Sequence, residues 1–519
     1  MTEDVVPTVS FADSIRYRYL ATLLARFVQL GASAITLTVV PRALGPVAYG
    51  SYAFLMTTAA SVRGVVDLSA YDAFFTFSSQ ERRSGSLTRL YVACLASQLA
   101  LTLILVGVGV TTGAAGWLWL AQPPDRIVWL TILDWLVFVG IALQSLGDSK
   151  ALTVRTQAIG AAVAGLNVAA LLLLHSLGEL DFDSYVRVNV GSSLVLCAVL
   201  AWWLLTIRRD ECWIGRLFEH SRWYLTRWWR YARPMIVVNL YGCAGSWFSA
   251  YILQRAYGSS EQAYFALASR WSLLALTFAG AAVPIFWREI SKAMAGSDRV
   301  QAARVYARFS QSLFFVALAL SCWLSLASRS LVEWLAGPEY LAAVPVLMVM
   351  AFYPVVQTMG QLNDAALKAT ERTVQLRNLR LGLAIPDLLI TYFTVAPSTA
   401  RVPGLGLGAI GVAVQLVGWG FVSRQIYEWV NSRFLGQSYL RGLRDRLAAF
   451  VVVGTCAVTI LAGPSDWLRV QLEWGTIGGL ALASVLYFAL LGILVVLWPA
   501  LAGLSFLGLG HGQGRLGKR

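Results

Sequence analysis

Fourteen runs of about twenty mostly apolar residues succeed one another along this chain, at 19–41, 47–68, 91–111, 127–146, 156–177, 185–206, 233–254, 262–286, 307–327, 341–365, 379–397, 408–430, 447–463 and 475–498. No other feature limits the fold as much. A helix needs about twenty apolar residues to cross the hydrocarbon of a bilayer, and only helices or closed barrels satisfy their backbone there. The sequence is 58% hydrophobic and 13% charged, whereas a soluble chain carries about a quarter charged residues. The expected class is an all-α polytopic membrane protein with about 14 transmembrane helices. The least regular runs are 156–177, rich in Ala and Gly, and 379–397, interrupted by Pro386 and Asp387.

The basic residues set the orientation. Net charge is +14, from 41 Lys and Arg against 27 Asp and Glu. With the N-terminus on the cytoplasmic side, 27 of the 41 fall on inner connections or termini and 8 within spans. The remaining 6, Arg42, Arg126, Arg255, Arg329, Arg401 and Arg469, fall on outer connections. This is the positive-inside bias, with both termini cytoplasmic. It accounts for the basic composition without a nucleic-acid partner. The six Cys are dispersed, as are His175, His220 and His511, which fits neither a disulfide framework nor a metal site. No cofactor is expected. Met1–Phe11 is polar and slightly acidic, without the basic start of a secretory signal, so the first run is expected to stay in the mature protein.

The longest inner connection, "CWIGRLFEHSRWYLTRWWRYAR" (Cys212–Arg233), interleaves Trp, Leu and Phe with Arg at helical spacing. It is expected to form an amphipathic helix on the inner membrane surface. Around it the chain repeats with an offset of 213 residues. "RALG" at 42–45 meets "RAYG" at 255–258, "SQ" at 97–98 meets "SQ" at 310–311, Gln144 meets Gln357, and Gly147 meets Gly360. One shared offset across four spans indicates two copies of one bundle. Both copies start on the same side, so they are parallel repeats. The expected organisation is an N-lobe of six spans over 1–206, a cytoplasmic amphipathic linker over 207–232, a C-lobe of six spans over 233–432, and two further spans with a cytoplasmic tail over 433–519. "PRALGPVAYG" is then a tight outer turn, with Gly50 and Tyr52 allowing close packing of the next helix.

The first turn, "PRALGPVAYGSYAF", resembles the polysaccharide-export group of the multidrug/oligosaccharidyl-lipid/polysaccharide (MOP) superfamily. "DLSAYDAF" at 67–74 is similar to the end of that group's second span, and "GLGLGAIGVAV" at 404–414 to the start of its twelfth. The resemblance runs from about 15 to 432, and the last two spans fit the fourteen-span members. The stretch "GDSKALTVRTQAIG" departs from the group's usual loop. The resemblance implies a MATE-like fold of two six-helix lobes plus two C-terminal helices. It also implies a Wzx-type flippase of the bacterial inner membrane. The implied cargo is an undecaprenyl-pyrophosphate-linked oligosaccharide, an exopolysaccharide, O-antigen or capsule repeat unit. Implied partners are that lipid-linked oligosaccharide, membrane lipids and the polysaccharide polymerase or export machinery.

Such a cargo has an anionic pyrophosphate, a polar glycan and an apolar tail. Moving its head through hydrocarbon strips hydration from charged and polar groups, which costs many kcal/mol. A wet cleft bearing cations lowers that cost, and no covalent chemistry is needed. Charged residues within spans are expensive and often functional. The substrate candidates are therefore Arg26, Arg63, Arg270 and Arg424, because guanidinium matches phosphate oxygens bidentately. Arg26, Arg63 and Arg424 lie near inner helix ends, where long side chains also snorkel to water. Arg270 lies deepest, with helix packing as its alternative role. Asp67, one helical turn from Arg63, is a partner for it. Asp67, Asp134, Asp364 and Asp387 are the candidates for binding a proton or sodium ion; each also suits an arginine partner or a broken helix. Gln144, Gln357, Asn167, Asn189 and Asn239 are candidates for sugar contacts or for hydrogen bonds between helices.

Two other functions share this plan. A MATE-type drug or metabolite antiporter would want deep carboxylates rather than arginines, and a lipid II flippase is not separated by charge. An enzyme such as a glycan polymerase would want a large outer loop, and no outer connection exceeds about fifteen residues.

Overall fold

The computed structural model describes residues 11–80, 85–120, 122–149, 152–207, 221–296, 298–462 and 476–503. The first part of the expected linker, the connection 463–475 and the tail from 504 lie outside them. Helices α1 (Phe11–Asp67), α2 (Ala70–Gln80), α3 (Gly85–Thr111), α4 (Ala114–Leu118), α5 (Pro124–Ser149), α6 (Thr153–Ser176), α7 (Phe182–Ile207), α8 (Ser221–Tyr257) and α9 (Ser259–Ala295) come first. They are followed by α10 (Arg299–Leu331), α11 (Val344–Met350), α12 (Tyr353–Ala369), α13 (Thr373–Val395), α14 (Gly408–Val414), α15 (Gly420–Leu435), α16 (Tyr439–Ala457) and α17 (Thr476–Leu497). Helix occupies every one of the fourteen expected spans, and no strand occurs among the described residues. Among the described residues, ten stretches are long and apolar enough to cross a membrane, the first of which, Leu24–Asp67, holds two expected spans.

The apolar faces point outward. The most apolar window of Ser86–Thr111 has a mean hydropathy of 2.1, yet only 11% of it is buried. On α3, Ile104, Leu105 and Val108 are exposed. In water such a surface would drive association. In a bilayer it is the surface that faces lipid, and the backbone is satisfied within each helix. The all-α polytopic membrane architecture is therefore a property of the structure as well as of the composition.

The first turn is made by one residue. Helix runs through Pro41 and Pro46, and only Gly45 leaves the helical region, at φ 70° and ψ 170°. Gly258, its equivalent at the 213-residue offset, also has positive φ, at 82°. Gly50 then brings two backbones together, since a Cβ there would lie 1.7 Å from the carbonyl oxygen of Ser259. Ser51 Oγ and Ser259 Oγ are hydrogen-bonded at 3.0 Å beside it.

Packing divides the chain into two compact units, Met1–Ala263 and Tyr264–Arg519. In the first, α1 packs on α5, α6 and α8, and α7 packs on α5 and α6. The seventh expected span, α8, thus joins the first unit, one helix later than the division by sequence repeat. Its start is the described part of the expected linker, and it continues into the span as one helix, Ser221–Tyr257, rather than as a separate segment. Asp181 and Ser184 form a reciprocal cap at the start of α7. The Ser184 backbone N–H donates to Asp181 Oδ1 at 2.8 Å, and the Asp181 N–H donates to Ser184 Oγ at 2.9 Å. In the second unit α10 is the hub, packing on α11, α12, α16 and α17. The two C-terminal helices lie against it: Tyr487 Oη donates to the Ala319 carbonyl at 3.0 Å and Trp323 Nε1 donates to Ser484 Oγ at 2.8 Å.

The Gly50 contact predicts a selective cost. Gly50→Ala lowers the thermal unfolding temperature in detergent, because backbone rather than a flexible side chain must move. Gly242→Ala, where a Cβ would meet nothing within 4 Å, leaves that temperature unchanged or raises it, as Ala is the better helix former. Light-scattering or intrinsic-fluorescence melts of the two variants check this.

Candidate functional site

Each unit carries a polar cluster inside its helices. In the first, Arg63 on α1 reaches across to α5. Its Nε donates to Asp134 Oδ2 at 2.7 Å, and its guanidinium lies 4.2 Å from the centre of the Phe138 ring, one turn along α5. The expected partner on its own helix, Asp67, is not the one hydrogen-bonded. Arg63 stays within its electrostatic reach, but Asp134 takes the guanidinium because α5 presents Asp134 and Phe138 together. Asp67 closes α1 beside a break, where Leu68 and Ser69 both take left-handed backbone, at φ 48° and 63°. That conformation is uncommon and strained for residues other than Gly. The break is held from two other helices. Gln98 Nε2 donates to the carbonyls of Val66 and Asp67, at 3.3 and 3.2 Å, and Asn239 Nδ2 donates to Ser69 Oγ at 2.6 Å. Asp67 Oδ1 is buried without a hydrogen-bond partner, as is Gln98 Oε1. Arg26, nearer the start of α1, is exposed, close enough for its charge to act on Asp148.

In the second unit the candidates sit in separate pairs. Arg380 on α13 is ion-paired with Asp364 on α12. Gln415 Nε2 donates to Asp387 Oδ1 at 2.6 Å, and α13 continues as one helix through Pro386. The helix is therefore not broken there, and a polar contact is made by the Asp387 side chain. Arg424 lies on Gly360, where a Cβ would stand 2.8 Å from its Nε. Its guanidinium is 5.4 Å from the Tyr427 ring centre, and its Nε is buried without a hydrogen-bond partner. Arg270 is half-buried on α9 and engaged by neighbouring groups.

The sequence reading passed over one pair. Glu428 on α15 and Arg446 on α16 form a deeply buried ion pair, with side chains 6% and 5% exposed, and Arg446 Nη1 also reaches Ser310 Oγ at 3.4 Å. Glu428 could have been found, since it is a carboxylate inside the twelfth apolar run. Arg446 stands just before the thirteenth and reads as an interface charge. Beside the pair, Tyr306 Oη and Asn431 Nδ2 both donate to Asn363 Oδ1, at 2.5 and 3.0 Å. Of the amides considered for sugar contacts, Asn167 and Asn239 bridge helices. Asn167 Nδ2 donates to Ser192 Oγ at 2.9 Å. Asn189 bonds to the Tyr185 carbonyl of its own helix at 2.8 Å, and Gln357 to Tyr353 Oη. No group of His, Cys, Asp and Glu able to hold a metal ion occurs among the described residues.

No protein-family model and no curated sequence matches the chain. Solved structures do match its fold. The lipid II flippase MurJ in an inward closed conformation superposes with a TM-score of 0.63 at 12% identity, covering 92% of this chain and 98% of that one. A multidrug resistance MATE family transporter of the MOP superfamily matches in its inward-facing conformation with a TM-score of 0.58 at 16% identity, covering 81% and 99%. An outward-facing conformation of such a transporter matches with a TM-score of 0.52 at 17% identity, covering 83% and 96%. At these identities the likeness shows the fold, which is MATE-like.

The Glu428–Arg446 pair predicts a pattern of stability. Removing one partner of a buried pair leaves an uncompensated charge and costs about 3–5 kcal/mol, while replacing both by apolar residues is often neutral. Glu428→Leu is therefore strongly destabilised, and Glu428→Leu with Arg446→Met recovers most of the loss. A double-mutant cycle by thermal unfolding in detergent measures it.

Proposed function

We propose that the chain is a transporter that reorients an undecaprenyl-pyrophosphate-linked oligosaccharide across the bacterial inner membrane, by alternating access of its two repeats. The observation that carries the proposal is the set of arginines within the spans of a MATE-like fold. Arg63 is held in the first unit by Asp134 and Phe138, Arg424 in the second by Gly360 and Tyr427, and Arg270 is half-buried on α9 and engaged by neighbouring groups. Arg26 is exposed near the end expected to be cytoplasmic. Each is a cation within a span, of the kind that a pyrophosphate, whose charge is the most costly part of the cargo to move, would need. Coverage supports a lipid-linked cargo over a drug. The flippase matches 92% of this chain and the inward-facing multidrug transporter 81%, a difference of about the length of the two C-terminal helices.

The second reading is a MATE-type antiporter for a cationic drug or metabolite, and a lipid II flippase is the third. A cation would want unpaired carboxylates. Asp134 and Asp364 are bound to arginines and Asp387 to Gln415, which favours the anionic cargo. Coupling to a proton or sodium gradient belongs to the proposal. Among Asp67, Asp134, Asp364 and Asp387, the best candidate is Asp67, buried at a helix break with one oxygen unpartnered, where Asp134 and Asp364 are each bonded to an arginine. Cytoplasmic termini, and partners in the polymerase or export machinery, complete the proposal.

Deleting the gene in its host and probing the leaflet of the lipid-linked oligosaccharide tests this. Deletion strands complete oligosaccharide on the inner leaflet, and Arg270→Ala does the same at normal protein level. Gly360→Ala, which pushes the Arg424 guanidinium aside without removing charge, slows export at least several-fold. An unchanged pool with unchanged sidedness refutes the proposal.

A further inference from the structure

The helix ends opposite the expected cytoplasmic side carry a feature that pyrophosphate transfer does not use. Where α5 and α7 begin, Asp125, Arg126, Trp129, Phe182, Asp183 and Arg187 line an open cavity of about 250 Å³. Arg187 also lines a second one, of about 610 Å³, with Glu179, Asp181 and Ser184 in the turn between α6 and α7. Ligand sites usually fall within about 300–1,000 Å³, and the larger of these two neighbouring cavities, which share Arg187 as a lining residue, lies in that range.

The walls are ordered by contacts of their own. The Arg126 guanidinium lies 4.2 Å from the Phe182 ring centre and its Nε 3.8 Å from Asp183 Oδ1. Arg187 Nε donates to the Asp183 carbonyl at 3.3 Å. Asp181 is fixed by its reciprocal cap with Ser184, and those bonds hold its carboxyl below the usual carboxylate range. Trp129 is 48% exposed and lines the smaller cavity.

The chemistry selects a class of ligand. Guanidinium only donates hydrogen bonds and carboxylate only accepts them, whereas a hydroxyl does both. Arg126 and Arg187 stand among Asp125, Asp183, Glu179 and Asp181, so neighbouring hydroxyls can each bridge one group of each kind. An exposed indole face accepts the apolar C–H face of a sugar ring. Four carboxylates against two guanidinia give the walls a formal charge of −2, which repels a pyrophosphate. We propose that this cleft holds the sugar portion of the cargo, an uncharged run of an oligosaccharide, after the head group has crossed. The proposal rests on the transporter reading for the presence of such a glycan on that side.

The test uses the full chain in lipid nanodiscs. The probe is water-soluble oligosaccharide released by mild acid from the host's lipid-linked pool, with binding measured by calorimetry. The wild type binds, Trp129→Ala and Arg187→Gln each weaken binding at least tenfold, and Trp129→Phe restores much of it by returning a ring. Spermidine does not compete. Equal binding by wild type and both variants overturns the inference, and so does failure of the wild type to bind, or displacement of the sugar by spermidine. The same wild-type chain is returned to the deletion host. If it restores the outer-leaflet glycan but binds no soluble oligosaccharide, the cleft assignment fails and the transporter reading stands. If it does not restore the glycan, the transporter reading itself fails.

Discussion

The bilayer is the solvent on which the rest of this structure depends. No water is available in its core to satisfy backbone N–H and C=O groups, so the chain must be helical wherever it crosses. The same condition governs side chains. A charge inside the bundle must find a partner, a ring or an aqueous surface, or its cost becomes several kcal/mol. The Arg63–Asp134, Arg380–Asp364 and Arg446–Glu428 pairs are three solutions to that condition. Arg424 on the Tyr427 ring is a fourth, in which a quadrupole stands in for a carboxylate.

These solutions differ in what they leave available. The Glu428–Arg446 pair, which ties α15 to α16, is almost fully enclosed, which suits a fixed joint. Arg63 keeps 19% of its side chain exposed and sits one turn from the strained break at Leu68 and Ser69. Strain of this kind persists only where the surroundings enforce it, and it is common where a protein changes state. Gln98 and Asn239, from two other helices, both act on that one break. The first unit thus places a charge pair, a buried carboxylate and a discontinuous helix together, which the second unit does not reproduce in the same form.

The fold was legible in the sequence because its cause is periodic and long. Fourteen apolar runs needed only length and hydropathy to be found, and a shared offset exposed the repeat through "RALG" and "RAYG". Both motifs end in a glycine with positive φ, Gly45 and Gly258, so the short match reports a backbone need. Pairing between helices was not legible. Arg63 lies four residues from Asp67 in sequence, but its partner is 71 residues away on α5, and no local rule points there. Asp387 beside Pro386 suggested a broken helix, whereas α13 runs on through both and the carboxylate accepts from Gln415. The cleft at the starts of α5 and α7 was also hidden, because Trp129 and Arg187 become neighbours only through the packing of those two helices.

Transport of a lipid-linked glycan is the central claim, and reconstitution addresses it most directly. Purified chain would be placed in liposomes loaded symmetrically with a fluorescent undecaprenyl-pyrophosphate oligosaccharide, and the fraction reached by an impermeant quencher would be followed after one leaflet is bleached. The account predicts that signal from the protected leaflet becomes accessible with the wild-type chain and stays protected with Arg270→Ala. Liposomes with the wild-type chain that remain as impermeable to the glycan as empty ones would contradict it.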